Sequence, residues 1–164
     1  MGSSGLVRFP VMNRLAQVKR KIEILLIEDN PADADLFQLA MSGEYSISIA
    51  QTGAEALDRL FQRGRFEKSV RPDIVVVDLS VPILNGHEVI NVMKSNSNLR
   101  SIPAVVLSAS SHAEDVRKAY DLGASAYLVK HAALNEAERT LSAFADFWIG
   151  QVVYAAAGMK RGTA

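Results

Sequence analysis

The chain has 164 residues, enough for one buried core with an extension to spare and short for two ordinary domains. Hydrophobic residues make up 49% and charged residues 22%, the composition of a folded globule rather than a disordered or collagen-like chain. Eighteen Lys and Arg balance eighteen Asp and Glu, which argues against a direct nucleic-acid partner, and the lack of cysteine excludes a disulfide scaffold, a thiolate metal site and a cysteine nucleophile.

Met1-Gly2-Ser3-Ser4-Gly5 reads as a cloning scar, and residues 1–21 together as scar and N-terminal arm, with Arg14, Lys19, Arg20 and Lys21 on a solvated face. From residue 22 on, short β-branched runs alternate with longer segments of helical period, the pattern of βα units on a parallel sheet. The predicted strands are 22–27, 45–50, 73–78, 103–108 and 125–129. The first, third and fourth are apolar almost throughout and belong in the sheet centre. The second, Tyr45-Ser46-Ile47-Ser48-Ile49, alternates and belongs at an edge. Helices are expected to start at Asn30-Pro31, at Thr52 or Gly53, near Gly86, at Ser110-Ser111 and around Ala132. The last carries a stripe of Leu134, Ala137, Leu141, Phe144, Trp148 and Val152 and is expected to run past the end of the domain. The domain is therefore bounded at 22–148, with 149–164 as helix extension and tail. The apolar runs fall far short of the roughly 20 residues that cross a bilayer, so no membrane insertion is expected and the cytoplasm fits.

Ligands of open parallel sheets bind beyond the carboxyl ends of the strands. There the chain places Glu28-Asp29 after the first strand, Asp78 at the end of the third, Ser108 after the fourth and Lys130 after the fifth. Carboxylates gathered this way repel one another unless a cation joins them, and hard oxygen ligands suit Mg²⁺ or another divalent cation such as Mn²⁺. With a phosphoryl group present, the metal, the Lys130 ammonium and the Ser108 hydroxyl neutralise its oxygens, and Asp78, the most central acid, supplies the attacking oxygen.

These residues resemble the receiver domain of two-component response regulators, the CheY-like family, over roughly residues 22–148. The resemblance rests on Ile24-Leu25-Leu26-Ile27-Glu28-Asp29-Asn30, on Pro72 to Pro82 followed by Asn85-Gly86, on Pro103 to Ala109 and on Gly123 to Lys130. It implies a flavodoxin-like doubly wound α/β fold, a five-stranded parallel sheet of order 2-1-3-4-5 with five helices, the last extended. It also implies Asp78 as phosphoacceptor, Asp29, Asp78 and the Ser80 carbonyl as direct metal ligands, Glu28 acting through water, and Ser108 with Tyr127 as the switch pair. By the same resemblance, Ser80 and Ser110 affect how fast the phosphoryl group is hydrolysed. His131 stands where many receivers carry a proline after the lysine, which leaves the Lys130–His131 bond open between cis and trans.

The reading is of a single-domain response regulator, not an enzyme, phosphorylated by a histidine kinase; residues 149–164 are too few for an effector domain. Phe144, Phe147, Trp148 and Val152 give the last helix more apolar surface than it needs, for which a homodimer is the expected cover. The Phe147-Trp148 pair resembles single-domain receivers paired with bacterial phytochrome kinases, so such a kinase is the expected partner. One alternative is a receiver-like dimerisation scaffold that is never phosphorylated. Flavodoxin-like carriers and phosphatases fit less well, because Glu28-Asp29 would repel a flavin phosphate and Ser80 stands where an aspartyl phosphatase carries its second acid.

Overall fold

A computed structural model describes residues 21–155; the N-terminal arm and the tail from residue 156 lie outside them. Five strands, β1 (Ile22–Ile27), β2 (Tyr45–Ala50), β3 (Ile74–Val77), β4 (Ala104–Ser108) and β5 (Ala126–Val129), form one parallel sheet in the order β2-β1-β3-β4-β5. The helices are α1 (Pro31–Ala40), α2 (Gly53–Leu60), α3 (Gly86–Ser95), α4 (Ala113–Asp121) and α5 (Leu134–Phe144), the last continuing as a π-helical segment, Ala145–Ile149. This is the flavodoxin-like architecture expected from the sequence.

The alternation of side chains along each strand divides the core in two. Leu25, Ile27, Val75, Val77 and Val106 pack with α2, α3 and α4, while Ile24, Leu26, Ile74, Val76, Val105 and Leu107 pack with α1 and α5. All four residues of β3 and all five of β4 are buried, whereas β2 and β5 at the edges are mostly half-buried. Burial on both faces accounts for the near-continuous apolar runs of the central strands.

Local chemistry sets the helix starts. Asn30 accepts from the backbone amides of Ala32 and Asp33 ahead of Pro31, Thr52 accepts from Glu55, and Asn85 with Glu88 forms a reciprocal capping box. The expected start at Ser110-Ser111 falls later, with His112 at the cap and no side-chain capping bond. Among the described residues no helix is long and apolar enough to cross a membrane, and no peptide bond is cis, so Lys130–His131 is trans.

The last helix extends past Phe144, as the sequence pattern suggested, but stops at Ile149, short of Val152. Its final turns close with bonds five residues apart, Gly150 N–H to the Ala145 carbonyl and Val152 N–H to that of Phe147. A β-carbon at position 150 would stand 2.5 Å from the Asp146 carbonyl oxygen, so the glycine admits the close approach. Past it the chain turns, and the Tyr154 hydroxyl donates to the Trp148 carbonyl at 2.6 Å.

Candidate phosphoacceptor site

Parallel pairing brings the predicted residues to one rim and holds each by the neighbouring strand. Glu28 N–H donates to the Ala50 carbonyl, Asp78 N–H to that of Ile27 and Lys130 N–H to that of Ser108. Glu28, Asp78 and Lys130 thus each sit one step past a strand with the backbone still tied into the sheet, and Ser108 is the last residue of β4. Glu28, Asp78 and Ser108 are buried, Asp29 is exposed and Lys130 is half-buried.

The centre of the site is the Lys130 ammonium. Its Nζ donates to Glu28 Oε2 at 2.5 Å, to Asp78 Oδ2 at 2.8 Å and to Asp33 Oδ2 at 2.9 Å. The second oxygens of the two buried carboxylates are also engaged: Glu28 Oε1 accepts from the Asn30 amide and Asp78 Oδ1 from the Ser80 amide. Burial alone would lower the Lys130 ammonium, but its bonds to Asp78, Glu28 and Asp33 outweigh that and hold it above the ordinary lysine value. For Glu28 the balance goes the other way. Burial pushes its carboxyl above the usual glutamate value despite the pull of Lys130.

Three carboxyl groups, Glu28, Asp33 and Asp78, contact one ammonium, and Asp29 lies close to two of them, so acids outnumber the cation at the rim. Glu28, Asp29 and Asp78 each offer a carboxylate oxygen within 4.8 Å of the others. Three hard oxygen donors that repel one another at this spacing fit a divalent cation.

On the β4 side, Ser110 joins the two residues of the expected switch pair. Its amide donates to Ser108 Oγ at 3.3 Å, and its carbonyl accepts from the Tyr127 hydroxyl at 2.9 Å. Its own hydroxyl donates to Asp115 Oδ2 at 2.5 Å, fastening the loop to the first turn of α4. His131 lies beside the site, with Nδ1 3.3 Å from Glu136.

Asp33 is the member of this constellation that sequence reasoning missed. An acid in a first helical turn is ordinary dipole complementation, so nothing in the pattern distinguished it. The last-helix residues stand far apart in environment. Phe144 is buried against Phe37, with ring centroids 5.5 Å apart, Trp148 and Val152 are half-buried, and Phe147 is 56% exposed. Phe144 therefore belongs to the domain's own core rather than to a free face.

A doubly wound sheet carrying acids, a hydroxyl and a lysine on its carboxyl rim has the form of a receiver domain. Residues 24–142 match the response regulator receiver domain model, and the chain belongs to that family. Among characterised proteins it is similar to the response regulator Rcp1 of Synechocystis, 34% identical over 137 residues that cover 82% of this chain and 93% of Rcp1. In three dimensions it is similar to the phosphorylated cyanobacterial phytochrome response regulator RcpA, with a TM-score of 0.80 and 32% identity, covering 84% of this chain and all of that one. The Mn²⁺-bound form of Rcp1 superimposes equally well, at a TM-score of 0.80 and 33% identity over 82% of this chain and 99% of that one. The resemblance to phytochrome-associated receivers seen in the sequence holds in the comparisons.

Proposed function

We propose that this receiver accepts a phosphoryl group on Asp78 from a histidine kinase in the presence of Mg²⁺, and that the new charge changes what the chain binds. The observation that carries this reading is the setting of Asp78: a buried carboxyl at the end of a central strand, 2.8 Å from the Lys130 ammonium and clustered with Glu28 and Asp29. In the transfer, an Asp78 oxygen attacks phosphorus and the P–N bond of the donor phosphohistidine breaks. The electron pair stays on the imidazole nitrogen, which takes a proton from solvent. Lys130 and Ser108 supply donors to the phosphoryl oxygens. Asp29, Asp78 and the Ser80 carbonyl would hold the cation directly and Glu28 through water; when bound, it neutralises charge on those oxygens.

Readout runs through Ser110. If the Ser108 hydroxyl turns to a phosphoryl oxygen, it leaves the Ser110 amide, and the loop that holds the Tyr127 hydroxyl loosens with it. A local charge event thereby reaches the surface of α4 and β5. Similarity to cyanobacterial phytochrome response regulators supports a phytochrome-type kinase as the donor and the cytoplasm as the location. Exposed Phe147 beside half-buried Trp148 and Val152 supports a homodimer through the last helix.

The test is labelling by acetyl phosphate with Mg²⁺. Asp78→Asn is expected to abolish it, and undiminished labelling would remove Asp78 as the acceptor.

A further inference from the structure

Helix α4 is held to the sheet by little apolar packing. Ala119 is its one buried residue, against five in α3, so its place depends more than that of α3 on the polar bonds at its start. His112, at the cap position, makes no side-chain capping bond. Its amide donates to Ser110 Oγ at 3.3 Å, and the Ser110 hydroxyl in turn donates to Asp115 Oδ2 at 2.5 Å. A capping box joins the cap amide directly to the acid three residues on. Here the same two groups are joined through Ser110, a residue outside the helix.

Ser110 spends each of its polar groups on a different element. Its amide donates to Ser108 Oγ at 3.3 Å, its carbonyl accepts from the Tyr127 hydroxyl at 2.9 Å, and its hydroxyl links His112 to Asp115. It cannot shift to suit Ser108 or Tyr127 without moving the group on which the start of α4 relies. A second hold on α4 bypasses Ser110. His87 Nε2 lies 3.3 Å from the Asp115 carbonyl, which can only accept, so the imidazole carries its proton there. That bond is made to the backbone, so it survives substitution of the Asp115 side chain and keeps the helix docked on α3.

We propose that Asp115 is a positioning residue of the phosphoacceptor site, the acid that ties the order of the first turn of α4, through Ser110, to the occupancy of Asp78. This rests on Asp78 being the acceptor. A carboxylate that only closed the start of a helix would steady the turn by the same factor whether Asp78 were free or occupied. A coupling carboxylate makes that factor differ between the two states.

Trifluoroberyllate at saturating Mg²⁺ serves as the phosphoryl mimic. Hydrogen exchange of the Val116 amide, which bonds to the His112 carbonyl, reads the first turn by NMR. In the wild type its rate is expected to differ about two- to tenfold between the free and mimic-bound states, the range of one net hydrogen bond. Asp115→Ala and Ser110→Ala are each expected to bring that ratio to about one, and the double variant to add nothing further. Asp115→Asn, which keeps an oxygen for the Ser110 hydroxyl, is expected to retain the ratio. The Ser110→Ala arm cuts the same link from outside the helix, so the test stands even where Asp115→Ala is poorly folded. An equal rate in the two states of a wild type that binds the mimic overturns the proposal, as does a wild-type ratio in Asp115→Ala; both leave the acceptor standing. A wild type that fails to bind the mimic, or equal binding by Asp78→Asn, overturns the acceptor assignment and this proposal with it.

Discussion

The carboxyl rim of the sheet and the end of the last helix are organised by different physics. At the rim, Glu28, Asp78, Ser108 and Lys130 come from four strands, and each side chain has directional requirements that its neighbours meet. At the helix end, Phe144 and Phe147 lie three residues apart with exposures of 3% and 56%. Hydrophobic burial has no preferred direction, so an aromatic side chain settles wherever the helix phase leaves it. Polar groups that must pair announce their neighbours; apolar ones announce only that a cover exists.

The contrast can be pressed hardest at Phe144. Truncation to alanine is expected to destabilise the fold by about 3–5 kcal/mol in urea or thermal unfolding, because it empties the contact with Phe37. A loss under about 1 kcal/mol would mean that the ring is not core.

At the rim, Glu28→Gln in metal-free buffer is expected to stabilise the protein at neutral pH. The sign follows from the raised Glu28 carboxyl. A folded-state value above the unfolded one gives stability that is present at low pH and is lost as pH rises through the folded value, and the glutamine is spared that loss. The gap should close below pH of about 4, where both states carry the proton. Urea melts at acid and neutral pH would expose a gap that fails to close. Lys130, held above the ordinary lysine value, keeps its contribution at all neutral pH and loses it only in strong alkali.

Smaller effects are expected at the loop after Asp78 and at the helix end. Ile83 and Leu84 both have positive φ, 48° and 70°, a region that disfavours large side chains. Ile83→Gly relieves one of these and is expected to raise stability, by at most about 1 kcal/mol after the glycine's own chain entropy is counted. A clear loss in chemical unfolding would show that the exposed side chain is needed. Phe147→Ala is expected to move monomer stability by less than about 0.5 kcal/mol. Combined with Trp148→Ala it should instead shift sedimentation toward monomer, and an unchanged mass would remove the last helix as the interface.

Most of the architecture was legible in the sequence, because the strands buried on both faces read as unbroken apolar runs and edge β2 as an alternation. Boundaries were less so. Asp73, read as part of the third strand, precedes β3; its amide donates to the Glu23 carbonyl at 2.7 Å and its side chain accepts the Glu23 amide at 2.9 Å. Ser110 looked like a helix cap and instead ties Ser108, Tyr127 and Asp115 together. The strand-end acids and Lys130 could be found by counting along strands. Asp33 reaches the same ammonium from a helix, and no strand-based spacing points to it. The last helix does continue past Phe144, to Ile149, but stops short of Val152, because a heptad stripe records which side is apolar and not where the turns end.

The loop that follows Asp78 also serves as a buttress for a different helix. Pro82 and Ile83 present their carbonyls to the amides of Gly53 and Ala54, at 3.1 and 2.8 Å, in the first turn of α2. A β-carbon on Gly53 would come within 1.9 Å of the Leu84 carbonyl oxygen, so the two segments are in backbone contact with no side chain between them. Whatever steadies the loop must then steady the start of α2, and by reciprocity whatever frays that turn slackens the loop. The Gly53 and Ala54 amides are thus built-in gauges of the pocket, and their hydrogen exchange should slow when Asp78 is occupied and quicken when the loop is released.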